Sequence, residues 1–452
     1  MSKFLSDPFT ITVLYFIALI GIGIYSSFRI KNAGDYYIAG KKGNLLQITG
    51  SLFATIVGAS ALLGTFDLSR KEGWPALWFL LCGTLGLFIL IPLSKKVSRY
   101  GHFTLPELLS LFYGKKAEVA ASVIIPVAWT GIIAAQIIAA AKILESLHLL
   151  SYSYAAILTG GIFIIYTLIG GQISVIRTDV FQAILIYAGL LILFIHVAGK
   201  GAVQSNLQFI PGKLFTEVFT PFDLLVLFLT YSVTFVVGPD IYSRIFCAAS
   251  PTIASSSIFI TAILLIPVGY IMTYLGIFSV SAEIPLQQQG LVGLGRSILP
   301  DWAFGLFIAA LLSAVMSSAS ATLLTSSTIL SGLTFGNLAE KKSLSTTRIF
   351  IAFTGILSII ISLWITSIIE SLLFTLSFFS GAFVIPVLAG LLKIRINKKN
   401  VLAAILTGGG IALTGKIIQV VSGNIIGNIL IISSYLINCI LLFPVERKRI
   451  KS

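Results

Sequence analysis

Between Leu312 and Leu330 the chain reads LSAVMSSASATLLTSSTIL, an apolar stretch crowded with hydroxyls. At helical spacing Ser313, Ser317 and Ser320 share one face, with Ser318 beside it. A helix in a bilayer already satisfies its own backbone, so hydroxyls gain little by facing lipid. They face another helix, a water-filled cavity or an ion. Two chemistries fit the pattern. One is close packing of helices through small residues. The other is a shell of hydroxyl and carbonyl oxygens that replaces the hydration of a small hard cation. The second requires a neighbouring helix with carbonyls released from its own hydrogen-bond ladder.

Catalytic chemistry is not indicated. His102, His148 and His196 are scattered, and no nucleophile–base pairing is visible, so an enzyme is not expected. Cys82, Cys247 and Cys439 lie far apart, in or beside apolar runs. They form neither a metal spacing nor a disulfide framework and read as packing residues.

The elements that must position the serines follow from composition. Hydrophobic residues make up 57% of 452 and charged residues 10%, which excludes a soluble globular protein, whose charged fraction is roughly a quarter. A span needs about 20 apolar residues, and the pattern predicts an all-α polytopic membrane protein of about 13 transmembrane helices. The first, Pro8 to Phe28, is too long for a signal-peptide core and has no small-residue cleavage site, so it counts as a span. The second is expected at 46–66, the fifth and sixth at 153–169 and 174–198, the seventh at 222–248 and the ninth at 302–334. No long loop or tail suggests a soluble domain, and the whole of 1–452 reads as one transmembrane unit.

Most of the 30 Lys and Arg fall on one set of alternating segments. Lys41, Lys42, Lys95, Lys96, Lys398 and Lys399 are examples. The positive-inside rule then places the N-terminus outside and the C-terminus in the cytoplasm. The net charge of +14 is thereby a topology signal, and no nucleic-acid partner is expected. The lack of any Asn-x-Ser/Thr acceptor fits a multi-pass protein of a bacterial inner membrane.

Two spans carry interruptions. The second reads LFATIVGASALLGT from Leu52 to Thr65, with Ala54, Gly58, Ala59, Ser60, Ala61 and Gly64 at its middle. That cluster suits either tight small-residue packing or unwinding at Gly58, which would free carbonyls at mid-membrane. The seventh reads LTYSVTFVVGPDIYSR from Leu229 to Arg244, where Gly238-Pro239 is the stronger break. Paired interruptions in matching positions of two halves point to a transport site. Spans two and seven stand five apart, so the spacing predicts a 5+5 inverted repeat. The first five-helix repeat would cover 46–198 and the second 222–392, with one extra helix at 8–28 and two C-terminal helices over 400–444. The sixth span carries Asp179 near its start, either as a functional carboxylate at membrane depth or as an interfacial residue capping the span with Thr178.

Four stretches resemble the sodium:solute symporters, which have the leucine-transporter-like inverted-repeat fold. Asp35–Lys42, DYYIAGKK, looks like the family's first cytoplasmic loop, and Gly170–Gln182, GGQISVIRTDVFQ, is similar to its G-G-x-x-A-V-x-x-T-D-x-x-Q pattern. Ala309–Ser318, AALLSAVMSS, looks like its ion-binding helix and Gly238–Arg244, GPDIYSR, like its broken seventh span. The resemblance implies a sodium site between spans two and nine. The backbone carbonyls of Ala54, Val57 and Ala314 and the hydroxyls of Ser317 and Ser318 would bind the ion. A second ion site of the kind some members have would use Asp179, Ser317 and Ser320, but Ala321 stands where a further hydroxyl belongs, which favours one sodium per solute.

The solute pocket departs from sugar-transporting relatives. Ser60 and Ala61 stand where those have acidic and amide side chains, and no arginine lies deep in span four. Candidate lining residues are Ser60, Gln136, Tyr231, Thr234 and Phe235, each of which could equally be ordinary packing. Asp240 is unlike the residue expected at its position and could pair with Arg244 at i+4. The expectation is a sodium-coupled symporter importing a small organic solute, an amino acid before a sugar, from a lipid bilayer. A proton-coupled symporter with Asp179 titrating, or a non-transporting solute sensor of the same fold, are the alternatives. The short stretch after the last span predicts no appended signalling domain. Nothing in the pattern bears on oligomeric state.

Overall fold

A computed structural model describes residues 8–443 apart from 59, 101–103, 149, 205–210, 218, 282–289, 336–337, 339–340, 366–367 and 423–424. Ala59, His102 and the basic residues Arg447, Lys448, Arg449 and Lys451 lie outside the described residues. Among the described residues the secondary structure is helical, apart from an isolated bridge between Gly43 and Ala248.

Among the described residues, eleven helices are long and apolar enough to cross a bilayer, or twelve if the bent pair Leu45–Ile56 and Ser60–Glu72 is one span. In chain order, α1 is Pro8–Ser27, α2 Ala33–Ile38, α3 Leu45–Ile56 and α4 Thr65–Glu72. Then come α5 (Leu77–Tyr100), α6 (Leu105–Tyr113), α7 (Lys115–Ser146) and α8 (Tyr152–Gln204). The broken seventh span is α9 (Pro221–Leu227), α10 (Val233–Val237) and α11 (Pro239–Cys247), followed by α12 (Pro251–Ser281) and α13 (Leu291–Ile298). The remainder is α14 (Asp301–Phe335), α15 (Lys341–Trp364), α16 (Ile368–Leu391), α17 (Val401–Ser422) and α18 (Ile425–Leu442). The short helices α2, α6 and α13 were not expected. At six to nine residues they fall below any span-length criterion.

One helix, α8, covers the fifth and sixth expected spans. Its 53 residues would reach about 80 Å if straight, against about 30 Å of hydrocarbon. At Gly171 the backbone turns to φ 54° and ψ −170°, a conformation only glycine adopts cheaply. A Cβ there would also lie 2.6 Å from the Tyr36 ring. Tyr37, its neighbour on α2, shares hydrogen bonds of 2.8 Å with Ser343 Oγ and Thr347 Oγ1 of α15. The Asp35–Lys42 and Gly170–Gln182 stretches, far apart in the chain, therefore meet and seat the loop helix against the bundle.

Packing ranks the helices. In α14, 94% of the apolar window is buried, against 28% in α15, so α14 is the central post and α15 faces lipid. The exposed stripe Ile349, Phe353, Ile356 and Ile360 on α15 has the helical period that a lipid-facing helix shows. The central helix packs on α8, α7, α3, α15 and α1. Small residues permit the close approaches: a Cβ on Gly50 of α3 would meet Val180 Cα at 3.0 Å, and one on Gly189 of α8 would meet Ala310 Cβ at 2.5 Å.

Candidate solute and sodium site

The second span is interrupted as the small-residue cluster allows, but it continues further than expected, to Glu72 and not residue 66. The helix α3 ends at Ile56, Val57 takes φ −82° and ψ 62°, and a π-helical turn over Ser60–Gly64 leads into α4. The carbonyls of the last turn of a helix have no intrahelical donor. Phe53 O still receives the Val57 N–H at 2.9 Å, so the released carbonyls begin at Ala54.

Two serines of α14 occupy them. Ser317 donates to Ala54 O at 2.7 Å and reaches its own Ala314 O at 3.1 Å. Ser318 donates to Thr55 O at 2.7 Å. Three of the five expected sodium ligands, Ala54 O, Ala314 O and Ser317 Oγ, thus converge on one point, all of them buried. Ser318 Oγ lies on the neighbouring carbonyl, and Val57 stands at the break itself. The donor set, neutral hydroxyls and carbonyls at an unwound helix, is the type that coordinates Na+ in broken-helix transporters.

Gly58 makes this approach possible. A Cβ there would sit 2.4 Å from Ser318 Oγ and 3.2 Å from Gln136 Oε1. Gly58→Ala is expected to drive Ser318 off Thr55 O and to raise the half-saturating sodium concentration by roughly tenfold, as loss of about 1.4 kcal/mol does. A sodium titration of uptake checks this, and an unchanged half-saturation would count against the shared role of Gly58 and Ser318.

The seventh span breaks at Gly238, extended at φ −64° and ψ 125°, with Pro239 opening α11. It also holds a π-helical turn, Phe228–Ser232, as the second span does. Such turns release carbonyls and recur at functional sites. At the Gly238 break, Tyr242 Oη donates to Val236 O at 3.0 Å.

Between the two breaks lies a cavity of about 90 Å³. All five expected lining residues reach it: Ser60, Gln136, Tyr231, Thr234 and Phe235. It is also lined by Ser318, so the ion site and the cavity share a hydroxyl. Sequence reasoning passed over Trp129, Asp240 and Leu372 as lining residues. Trp129 sits in a plain apolar run, and Asp240 was matched to its i+4 neighbour. Tyr231 stacks on Phe79 at 4.3 Å between ring centroids. Phe79 in turn lines a second cavity of about 250 Å³ with Glu72, Asp223 and Lys416.

Asp240 does not pair with Arg244 through its carboxylate. Trp129 Nε1 donates to Asp240 Oδ1, while Arg244 Nη1 reaches only the Asp240 carbonyl, at 3.5 Å. The guanidinium lies instead 3.7 Å from Asp179 Oδ2, both side chains fully buried. Ser51 of α3 donates to the same carboxylate oxygen, and Arg244 Nε donates to Ser51 Oγ at 3.2 Å. Asp179 is therefore no interfacial cap; it lies inside α8, in a cluster joining α3, α8 and α11. Ser320 is not part of that cluster, because its hydroxyl donates to Ser317 O at 3.2 Å. Asp179 Oδ1 takes no hydrogen bond among the described residues.

Two interrupted spans around a polar-lined cavity, packed on a buried central helix, define a secondary transporter of the broken-helix kind. Residues 36–408 match the sodium:solute symporter family, and the chain belongs to that family. It is 26% identical to the sodium/proline symporter of Haemophilus influenzae, over 89% of this chain and 87% of that one. It is also 26% identical to the sodium/pantothenate symporter of Escherichia coli, over 88% of each. A solved Na+-coupled sialic acid symporter in a substrate-bound outward-open state shares the fold, with a TM-score of 0.74 and 19% identity over 97% of this chain and 98% of that one. The protein is a sodium-coupled symporter and not an enzyme, and sodium is its coupling ion.

Proposed function

We propose that the protein imports a small organic solute, an amino acid before a sugar, by alternating access, with one sodium ion per solute. One relative is named for proline, an amino acid. The observation that carries the reading is the meeting of Ser317 and Ser318 with the carbonyls freed at the α3 break. Sodium there would be held by the carbonyls of Ala54, Val57 and Ala314 and the hydroxyls of Ser317 and Ser318. Because Ser318 also lines the cavity, ion binding orders one wall of the solute site. Coupling is then a difference in affinity between two conformations, not a push.

The basic segments face the cytoplasm in this reading, with the N-terminus outside, and the two five-helix repeats are 46–198 and 222–392. The Phe79–Tyr231 stack would part the solute cavity from an outward-facing vestibule formed by the larger one. Proton coupling through Asp179 is disfavoured by its buried partner Arg244. A second ion site at Asp179 and Ser320 is disfavoured because their side chains hold different partners.

Uptake of pooled labelled amino acids, sugars and carboxylates by proteoliposomes, with and without an inward sodium gradient, tests the reading. Sodium-driven accumulation of an amino acid is the expected result. Accumulation driven by a pH gradient and indifferent to sodium would overturn the sodium site.

A further inference from the structure

Asp240 is the one charged side chain among the described residues lining the solute cavity. Its nearest cation, Arg244, is engaged elsewhere, on Asp179 and Ser51. With both carboxyls ionised, Asp179, Arg244 and Asp240 carry a net charge of −1, and Asp240, partly exposed and lining the cavity, is the one with no ion pair among the described residues. Trp129 Nε1 fixes Asp240 Oδ1, and a carboxylate has about four acceptor positions in all. The start of α11 offsets part of the charge, since Asp240 lies in its first turn. The Asp240 backbone N–H is a further donor to the carboxylate, which still leaves acceptor positions open. Trp129, Tyr231 and Phe235 line the same space, and aromatic rings attract cations.

We propose that Asp240, oriented by Trp129, is an ammonium-recognition subsite, so that the transported solute is a compact molecule bearing a protonated amine. This rests on the cavity being the solute site. An N–H donor satisfies both the free acceptors and the charge of Asp240. A sugar hydroxyl satisfies only the acceptors, and a carboxylate without an amine is repelled in this low-dielectric setting. An amino acid meets the site with its ammonium toward Asp240 and its carboxylate turned away from it.

The test uses the purified full chain in saturating sodium. Heat stabilisation is measured with the common amino acids, their decarboxylated amines, their deaminated acids, and D-glucose. Ammonium-bearing compounds are expected to stabilise the protein, while deaminated acids and glucose leave it unchanged. In Asp240→Asn, which keeps an acceptor for Trp129, binding of the best amine is expected to weaken roughly 30-fold or more, as for one lost partner of a buried charge pair. Stabilisation by sodium alone is expected to persist.

Four outcomes overturn the subsite: preferential binding of a deaminated acid or of glucose, no binding by any ammonium-bearing compound, unchanged amine binding in Asp240→Asn, or loss of the sodium response in that variant. The comparison of amine with acid in the wild type decides the matter even if the variant does not fold. Sodium-driven uptake of glucose or an acid would sink this inference and leave sodium coupling at the α3–α14 site intact. Absence of any sodium-driven uptake would sink both.

Discussion

Ser317→Ala is expected to abolish sodium-driven accumulation at ordinary sodium concentrations. The hydroxyl removed is fully buried and stands at hydrogen-bonding distance from both Ala54 O and Ala314 O. No other described side chain is placed on those two carbonyls together. Loss of one oxygen from a desolvated ion shell resembles loss of a hydrogen bond to a charged group, worth about 1.5–3 kcal/mol. That corresponds to roughly a ten- to hundredfold rise in half-saturating sodium. Ser318→Ala should act differently. Its hydroxyl holds Thr55 O but also lines the cavity, so both the sodium dependence and the solute KM should rise. Sodium titrations at fixed solute and solute titrations at saturating sodium separate the two. An unaltered sodium half-saturation in Ser317→Ala would place the ion elsewhere.

The second large effect is on stability. Arg244→Gln removes the cation from a cluster that is fully buried on both sides. Breaking a buried pair costs about 3–5 kcal/mol, because the remaining charge is left uncompensated. Here that charge would be Asp179, inside a membrane helix with Ser51 as its remaining donor. The thermal midpoint in detergent and the amount of folded protein recovered should both fall sharply. Asp179→Asn should fall too, and the double variant Asp179→Asn/Arg244→Gln should recover a large part of the loss, as a coupled pair requires. If the double variant is no better than the worse single one, the two groups are not an energetic pair. The same variants bear on stoichiometry. Asp179→Asn that folds should leave the steepness of the sodium dependence unchanged, since Asp179 and Ser320 hold separate partners. A change in steepness would reinstate a second ion at that carboxylate.

The proposed ion site and the charge cluster draw on successive turns of the same helix. Ser51 on α3 belongs to the Asp179–Arg244 cluster, and Ala54 and Thr55, one turn on, belong to the serines of α14. On the seventh span Arg244 and Asp240 divide in the same way, one into the cluster and one into the cavity. The two broken spans are thus tied to each other through the Asp179–Arg244 cluster, while their breaks border the cavity and the proposed ion site.

Much of this was legible without coordinates, because the bilayer imposes strong rules. Segments of about 20 apolar residues must be helices, since no other backbone conformation satisfies itself in lipid. Hence the span at 302–334 matches α14 to within a residue. Gly58 and Gly238-Pro239 marked breaks, because glycine and proline act on the backbone locally. Hydroxyls at helical spacing marked α14 as a helix with polar neighbours, and it proves buried almost all round. What the chain order concealed was the choice among long-range partners. Ser51 and Asp179 are separated by 128 positions and Trp129 and Asp240 by 111, so no local pattern joins them. At i+4 the Asp240–Arg244 match was reasonable, but the start of α11 turns the carboxylate toward Trp129 and the guanidinium toward Asp179. Local spacing determined which residues are helical, broken and hydroxylated. Tertiary packing alone decided which charge compensates which, because a buried charge is settled by whatever the neighbouring helices present and not by its own.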